Sequence, residues 1–148
     1  MSRLATRHGD ADESTGLLLW QVTNRWQAQQ RAALKPFGLT HVQFVLLASL
    51  TWLDAEGPVS QRRLAENAAT DPMMTSQVLR ALEQRGLVRR EPDPHDRRAR
   101  ALAVTDEGAE LVNRAVTAVE DTDAAFFAAL EGGDPAFRQA LLALRGVR

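Results

Sequence analysis

Apolar residues recur along the chain at helical spacing, interrupted by one short region that reads as two strands. Leu19, Val22, Trp26, Ala33 and Phe37 follow one another at steps of three, four and seven, which predicts a long helix over residues 14–37 with one apolar stripe. Gly38 ends it and Thr40 caps the next. Residues 41 to about 53 are apolar nearly all round: Val42, Phe44, Val45, Leu46, Leu47, Leu50, Trp52 and Leu53 predict a buried helix. Residues 54–58 read as a loop, and Val59 as a short strand.

Beyond Val59 the segments shorten. Ser60 is placed to cap a short helix, and Ala68, Ala69 and Thr70 form a tight connection to a second one. Asp71 can cap that helix, Pro72 suits its first position, and Gly86 can end it, with Arg85 set against the negative end of its dipole. Residues 87–91 and 101–105 read as two strands around a turn made extended by Pro92 and Pro94. Thr105 then caps a long helix to about Leu130, striped by Leu111, Ala115, Val119 and Phe126. Gly132 and Gly133 break it, and Asp134 with Pro135 starts a last helix lined by Phe137, Leu141 and Leu144. Residues 1–13 are polar and lack periodicity, the pattern of a disordered arm.

The helix between Asp71 and Gly86 has two unlike faces. Thr75, Val78, Leu79 and Leu82 point one way and can bury. Met73, Ser76, Gln77 and Arg80 point the other, with Met74 beside them. That face carries a hydroxyl, an amide, a guanidinium and thioethers, groups that contact base edges, thymine methyls and phosphates. Taken alone it is also what an ordinary amphipathic surface helix looks like. The neighbours decide: helix–turn–helix upstream, an arginine-bearing hairpin downstream, together a winged helix.

Three motifs in sequence then resemble the MarR family of bacterial transcription regulators: residues 82–90 (LEQRGLVRR), residues 93–99 (DPHDRRA) and residues 104–108 (VTDEG). The resemblance implies a mainly α fold, in which a winged helix-turn-helix lobe with a two-stranded β-wing (residues 38–104) is flanked by dimerisation helices (residues 14–37 and 105–148). It implies a homodimer on a pseudo-palindromic operator in double-stranded DNA. The second helix of the motif would enter the major groove, a wing arginine would enter the minor groove, and a small-molecule effector would release the DNA. On this chain the DNA-contacting set would be Ser60, Gln61 and Arg62, then Met73, Met74, Ser76, Gln77 and Arg80, then Arg97 and Arg98. Arg98 takes the wing-tip place, with Asp96 set to hold it by a charge-assisted hydrogen bond. The family's effector pocket would fall near Trp20, Trp26, His41, Phe44 and Trp52, residues that serve equally well as plain core.

Composition narrows the picture. The formal net charge is −1, but residues 61–100 hold nine arginines against six acids, a basic reading head of +3 on a body of −4. With no cysteine there are no disulfides, no thiolate metal site and no thiol-based peroxide sensing. Three histidines in unrelated contexts offer no transition-metal set, and no cofactor is expected. No apolar run approaches the ~18 residues of a membrane span, and no signal-peptide pattern opens the chain, so a cytoplasmic location is expected. An enzyme would need a nucleophile–base pair, a phosphate-cradling loop or a metal cluster, and none is visible. A winged helix that has become a protein-interaction module is disfavoured by the polar and arginine residues kept on the reading face. The apolar stripes of the terminal helices are wider than a lone lobe could cover; the resemblance implies that they interlock across a two-fold axis, with an intramolecular bundle as the alternative.

Overall fold

The computed structural model describes residues 3–146. Helix α1 (Thr15–Leu34) starts at Ser14, whose hydroxyl accepts from the Leu17 N–H, and runs through a 3-10 turn to Gly38, which is left-handed at φ 66°. Helix α2 (His41–Asp54) opens with a reciprocal cap: Thr40 Oγ1 accepts from the Gln43 N–H while Gln43 Oε1 accepts from the Thr40 N–H. Strand β1 (Val59–Ser60) leads into α3 (Gln61–Ala68), and α4 (Pro72–Gln84) follows across a short turn. The hairpin is β2 (Val88–Pro92) and β3 (Arg100–Val104), and helices α5 (Asp106–Phe127) and α6 (Pro135–Arg145) complete the chain. Before α1, the polar segment carries one 3-10 turn, Ala11–Glu13, capped by Asp10; Met1 and Ser2, in the expected arm, and Val147 and Arg148, in the expected dimerisation segment, lie outside the described residues.

The sheet is antiparallel in the order β1-β3-β2, with Val59 opposite Leu102 and Val88 opposite Val104. One core joins the helices to this sheet. Leu34, Leu46, Leu47, Leu50, Leu64, Leu79, Leu82 and Leu102 are essentially inaccessible, and Val112, Ala115 and Val119 bring α5 onto the same cluster. At about 1.5–3 kcal/mol for each large side chain buried, this cluster dominates the stability of the fold.

Several expectations need correcting. Helix α2 is not buried all round: Trp52 is 84% exposed, because at 100° per residue it lies far round the helix from Leu46, Leu47 and Leu50. Asp134 does not cap α6; its backbone is helical, and its carboxylate meets Arg138 at 3.3 Å instead. Arg85 does not simply face the end of its own helix. Its Nη1 donates to the Gly38 carbonyl at 2.8 Å and so ties the end of α4 to the α1–α2 corner. Helix α5 ends at Phe127, short of Leu130.

Candidate nucleic-acid interface

The helix-turn-helix is set by two caps and one tight corner. Ser60 Oγ accepts from the Arg63 N–H, which starts α3, and Asp71 Oδ2 accepts from the Met74 N–H at 2.9 Å, which starts α4 with Pro72 at its first position. Between them Ala69 takes the left-handed conformation at φ 54°, and its N–H reaches back to Ala65 and Glu66. A non-glycine residue there costs about 1–2 kcal/mol. The corner is pinned from inside by Thr75. Its hydroxyl donates to the Asp71 carbonyl at 2.8 Å and lies 2.7 Å from Thr70 Oγ1, with the whole side chain buried.

With Thr75, Leu79 and Leu82 held inward, the opposite face of α4 is free. Met73, Met74, Gln77 and Arg80 are exposed and Ser76 is half-buried. On α3, Ser60 spends its hydroxyl on the cap, Gln61 is half-buried, and Arg62 is exposed with its Nε on Glu66 at 3.0 Å.

The wing hairpin tip is arginine-rich and shaped by aspartates. Asp93 Oδ1 accepts from the His95 N–H and Asp96 Oδ1 from the Arg98 N–H at 2.9 Å. This corrects the expected pairing: Asp96 holds the backbone of Arg98 and not its guanidinium, since the two-residue spacing closes an Asx turn on the main chain. Arg97, Arg98 and Arg100 are exposed and have no ion pair among the described residues. Arg100, at the first position of β3, was not singled out from the sequence; its place in the arginine-dense segment after Asp96 was the available signal. Elsewhere in the lobe the arginines are engaged: Arg63 with Glu56, Arg89 with Glu91, and Arg90 with Glu83, the last joining β2 to α4 at 2.9 Å.

The chain that carries this exposed helix face and arginine tip matches proteins of known kind. A family model described as MarR family matches residues 39–99. The HTH-type transcriptional regulator YdcH of Bacillus subtilis is 47% identical over 117 residues, which cover 78% of this chain and 80% of YdcH. This chain belongs to the MarR family. It is therefore a DNA-binding transcription regulator and not an enzyme. A second relative, the HTH-type transcriptional repressor NicR of Pseudomonas putida, is 32% identical over 84% of this chain and 77% of its own. Among solved structures, BpsR of Bordetella bronchiseptica, studied for regulation of its DNA binding by 6-hydroxynicotinic acid, superposes with a TM-score of 0.78 at 28% identity, covering 93% of this chain and 94% of BpsR.

The five residues expected at a MarR effector pocket are not brought together. Trp26 and His41 meet edge to face, with ring centroids 5.1 Å apart, and Phe44 is buried in the core. Trp20 is 68% exposed near the start of α1, and Trp52 stands out at the far end of α2. What α1 and α5 do assemble around Trp26 is a polar cluster that the sequence did not reveal. Asp123 Oδ1 accepts from Trp26 Nε1 at 2.9 Å and from Gln30 Nε2 at 2.8 Å. Gln30 is fully buried, and its Oε1 has no partner among the described residues. Burial holds the His41 imidazole below its usual pKa; the Asp123 carboxylate opposes that shift, and Arg31 adds to it. Farther along, a cleft of about 560 Å³ opens between α1, the end of α5 and the start of α6, lined by Val22, Arg25, Phe126, Phe127, Leu130 and Phe137.

Proposed function

We propose that this MarR-family chain acts in the cytoplasm as a homodimeric repressor that binds a pseudo-palindromic operator and responds to a small-molecule effector. The observation that carries the DNA reading is the division of exposed groups. Ser76, Gln77 and Arg80, with Met73 and Met74, present hydrogen-bonding and apolar contacts on α4, whereas Arg97 and Arg98 present charge at the wing. Ser60, Gln61 and Arg62 at the start of α3 would hold adjacent phosphates. Residues 14–37 and 105–148 are taken as the dimerisation helices, because Leu17, Leu18, Leu19, Trp20 and Val22 on α1 and Leu141, Leu142 and Leu144 on α6 are left exposed in the single chain. The relative NicR, named as a repressor, supports the direction of regulation. BpsR supports an effector. For the effector, Gln30 Oε1, without a partner among the described residues and on a side chain that shares the Asp123 carboxylate with Trp26, offers a buried acceptor.

The two elements should fail differently when altered. Gln77→Ala is expected to cost about 1–3 kcal/mol on the cognate operator and much less on unrelated duplex, because an amide reads a base edge. Arg98→Ala is expected to weaken both duplexes and to make the dependence of affinity on salt shallower by about one counterion unit. Titration of both variants at several salt concentrations tests this. An Arg98→Ala protein that binds like the unaltered one at every salt level would show that the wing is wrongly assigned.

A further inference from the structure

The hairpin that carries the wing arginines hangs on a strand with a gap in its ladder. Strand β3 is central, but β1 is only two residues long and pairs Val59 with Leu102 and Ser60 with Ala101. Along a strand, N–H groups alternate between edges, so the Val104 N–H points to the same edge as that of Leu102, toward β1. Continued by two residues, the β1 register would set Gly57 opposite Val104. Gly57 has instead turned away at φ 127°, its own N–H bonded back to the Asp54 carbonyl at 3.1 Å. Pro58, the intervening residue, has no N–H to give.

Asp54 closes the gap. It is the last residue of α2, and its Oδ2 accepts from the Val104 N–H at 2.9 Å in a part-buried setting fifty residues away in sequence. The carboxylate thus stands in for the missing strand. Helix α2 behind it is fixed by Leu46, Leu47 and Leu50, all fully buried. On the other side, Thr105 secures the same end of β3: its N–H donates to the Leu87 carbonyl and its hydroxyl to the Gly86 carbonyl at 2.6 Å. The root of the wing is therefore gripped between the end of α2 and the end of α4.

We infer that Asp54 is the positioning residue that sets the wing against the recognition helix, by replacing a ladder partner at Val104. It does not touch DNA; it acts by aiming the hairpin on which Arg97, Arg98 and Arg100 sit. The inference rests on the proposed wing contact with DNA.

The test combines Asp54→Ala, Asp54→Asn, Arg98→Ala and the double variant Asp54→Ala/Arg98→Ala, titrated with operator and with random duplex across salt. Asp54→Ala is expected to lower affinity for both duplexes several-fold, to reduce the salt slope by about one unit as Arg98→Ala does, and to leave the ratio between the two duplexes unchanged. The double variant should lose little beyond either single change, and Asp54→Asn, which keeps an acceptor oxygen, should restore the slope. Hydrogen exchange should show the Val104 amide protected in the unaltered protein and unprotected in Asp54→Ala. If Asp54→Ala does not fold, Asp54→Glu, which keeps the charge but moves the carboxylate by one methylene, carries the same expectations. A reduced slope in Arg98→Ala beside an unaltered slope in the Asp54 variant overturns this inference alone. An unaltered slope in Arg98→Ala overturns the wing reading and this inference with it.

Discussion

His41 shows how one side chain can be placed correctly by the sequence and yet have its neighbours missed. It begins α2 after the Thr40 cap, as the cap signal implied, but the groups that set its chemistry come from α1 and α5, distant in sequence. Its folded pKa lies below the usual 6.5, chiefly because burial disfavours the charged ring. The folded state therefore holds the neutral form. The stabilisation is complete above pH 6.5 and is lost as pH falls through the depressed folded value, since the unfolded chain binds the proton first. Melting temperature is expected to fall as pH drops below about 6.5, and His41→Gln should flatten that part of the profile. Thermal melts of both proteins across this window check it; parallel curves would show that His41 contributes nothing there. Asp123 and Gln30 were illegible for a simple reason. A polar residue on a helix of mixed face reads as solvated until the packing angle of a second helix is known.

The short elements of the lobe were the most legible, because their ends are marked by residues with one local role. Ser60, Asp71, Thr105 and Gly86 were read as caps and stops, and each serves as one. Where the mark was absent, reading failed in kind. The corner at Ala69 is left-handed without a glycine, and nothing in the Ala68-Ala69-Thr70 run announces it. Asp134 carries the mark but is drawn off by Arg138. Gly108 is the instructive case. The sequence supplied it only as part of a motif, and the packing supplies the cause: a β-carbon there would lie 2.1 Å from the Leu87 carbonyl oxygen. Helix α5 thus rests its first turn directly on the backbone that enters β2. Gly108→Ala must push the two apart, and a loss of at least about 1–3 kcal/mol is expected in denaturant titration, as for other overpacked sites. A variant as stable as the unaltered protein would mean that α5 can shift at no cost.

At the scale of the whole molecule, the stripes of the terminal helices were visible in the sequence, but what covers them was not. Helices α1 and α5 pack on each other, yet the outer side of α1 and most of α6 remain exposed and apolar. No single helix among the described residues is long and apolar enough to cross a membrane. Light scattering in dilute solution is expected to give twice the chain mass, and Leu19→Glu together with Leu144→Glu should lower it. A monomer of full helicity would remove the basis for the proposed two-fold operator.

The arginine pairings bear on how such a regulator finds its site. Of the nine arginines between residues 61 and 100, Arg62, Arg63, Arg89 and Arg90 are neutralised by glutamates and Arg85 is spent on a carbonyl. Arg80, Arg97, Arg98 and Arg100 remain free to displace counterions from an arbitrary stretch of chromosome, and Arg62 joins them only by leaving Glu66. Each phosphate neutralised contributes about 0.9 to the logarithmic salt slope, so the hold on random sequence is expected to weaken steeply as ionic strength rises. The expected search is by brief landings and long flights through solution instead of extended sliding. On that expectation, little of the protein is detained on the bulk of the genome, and more of it is left to reach the proposed operator.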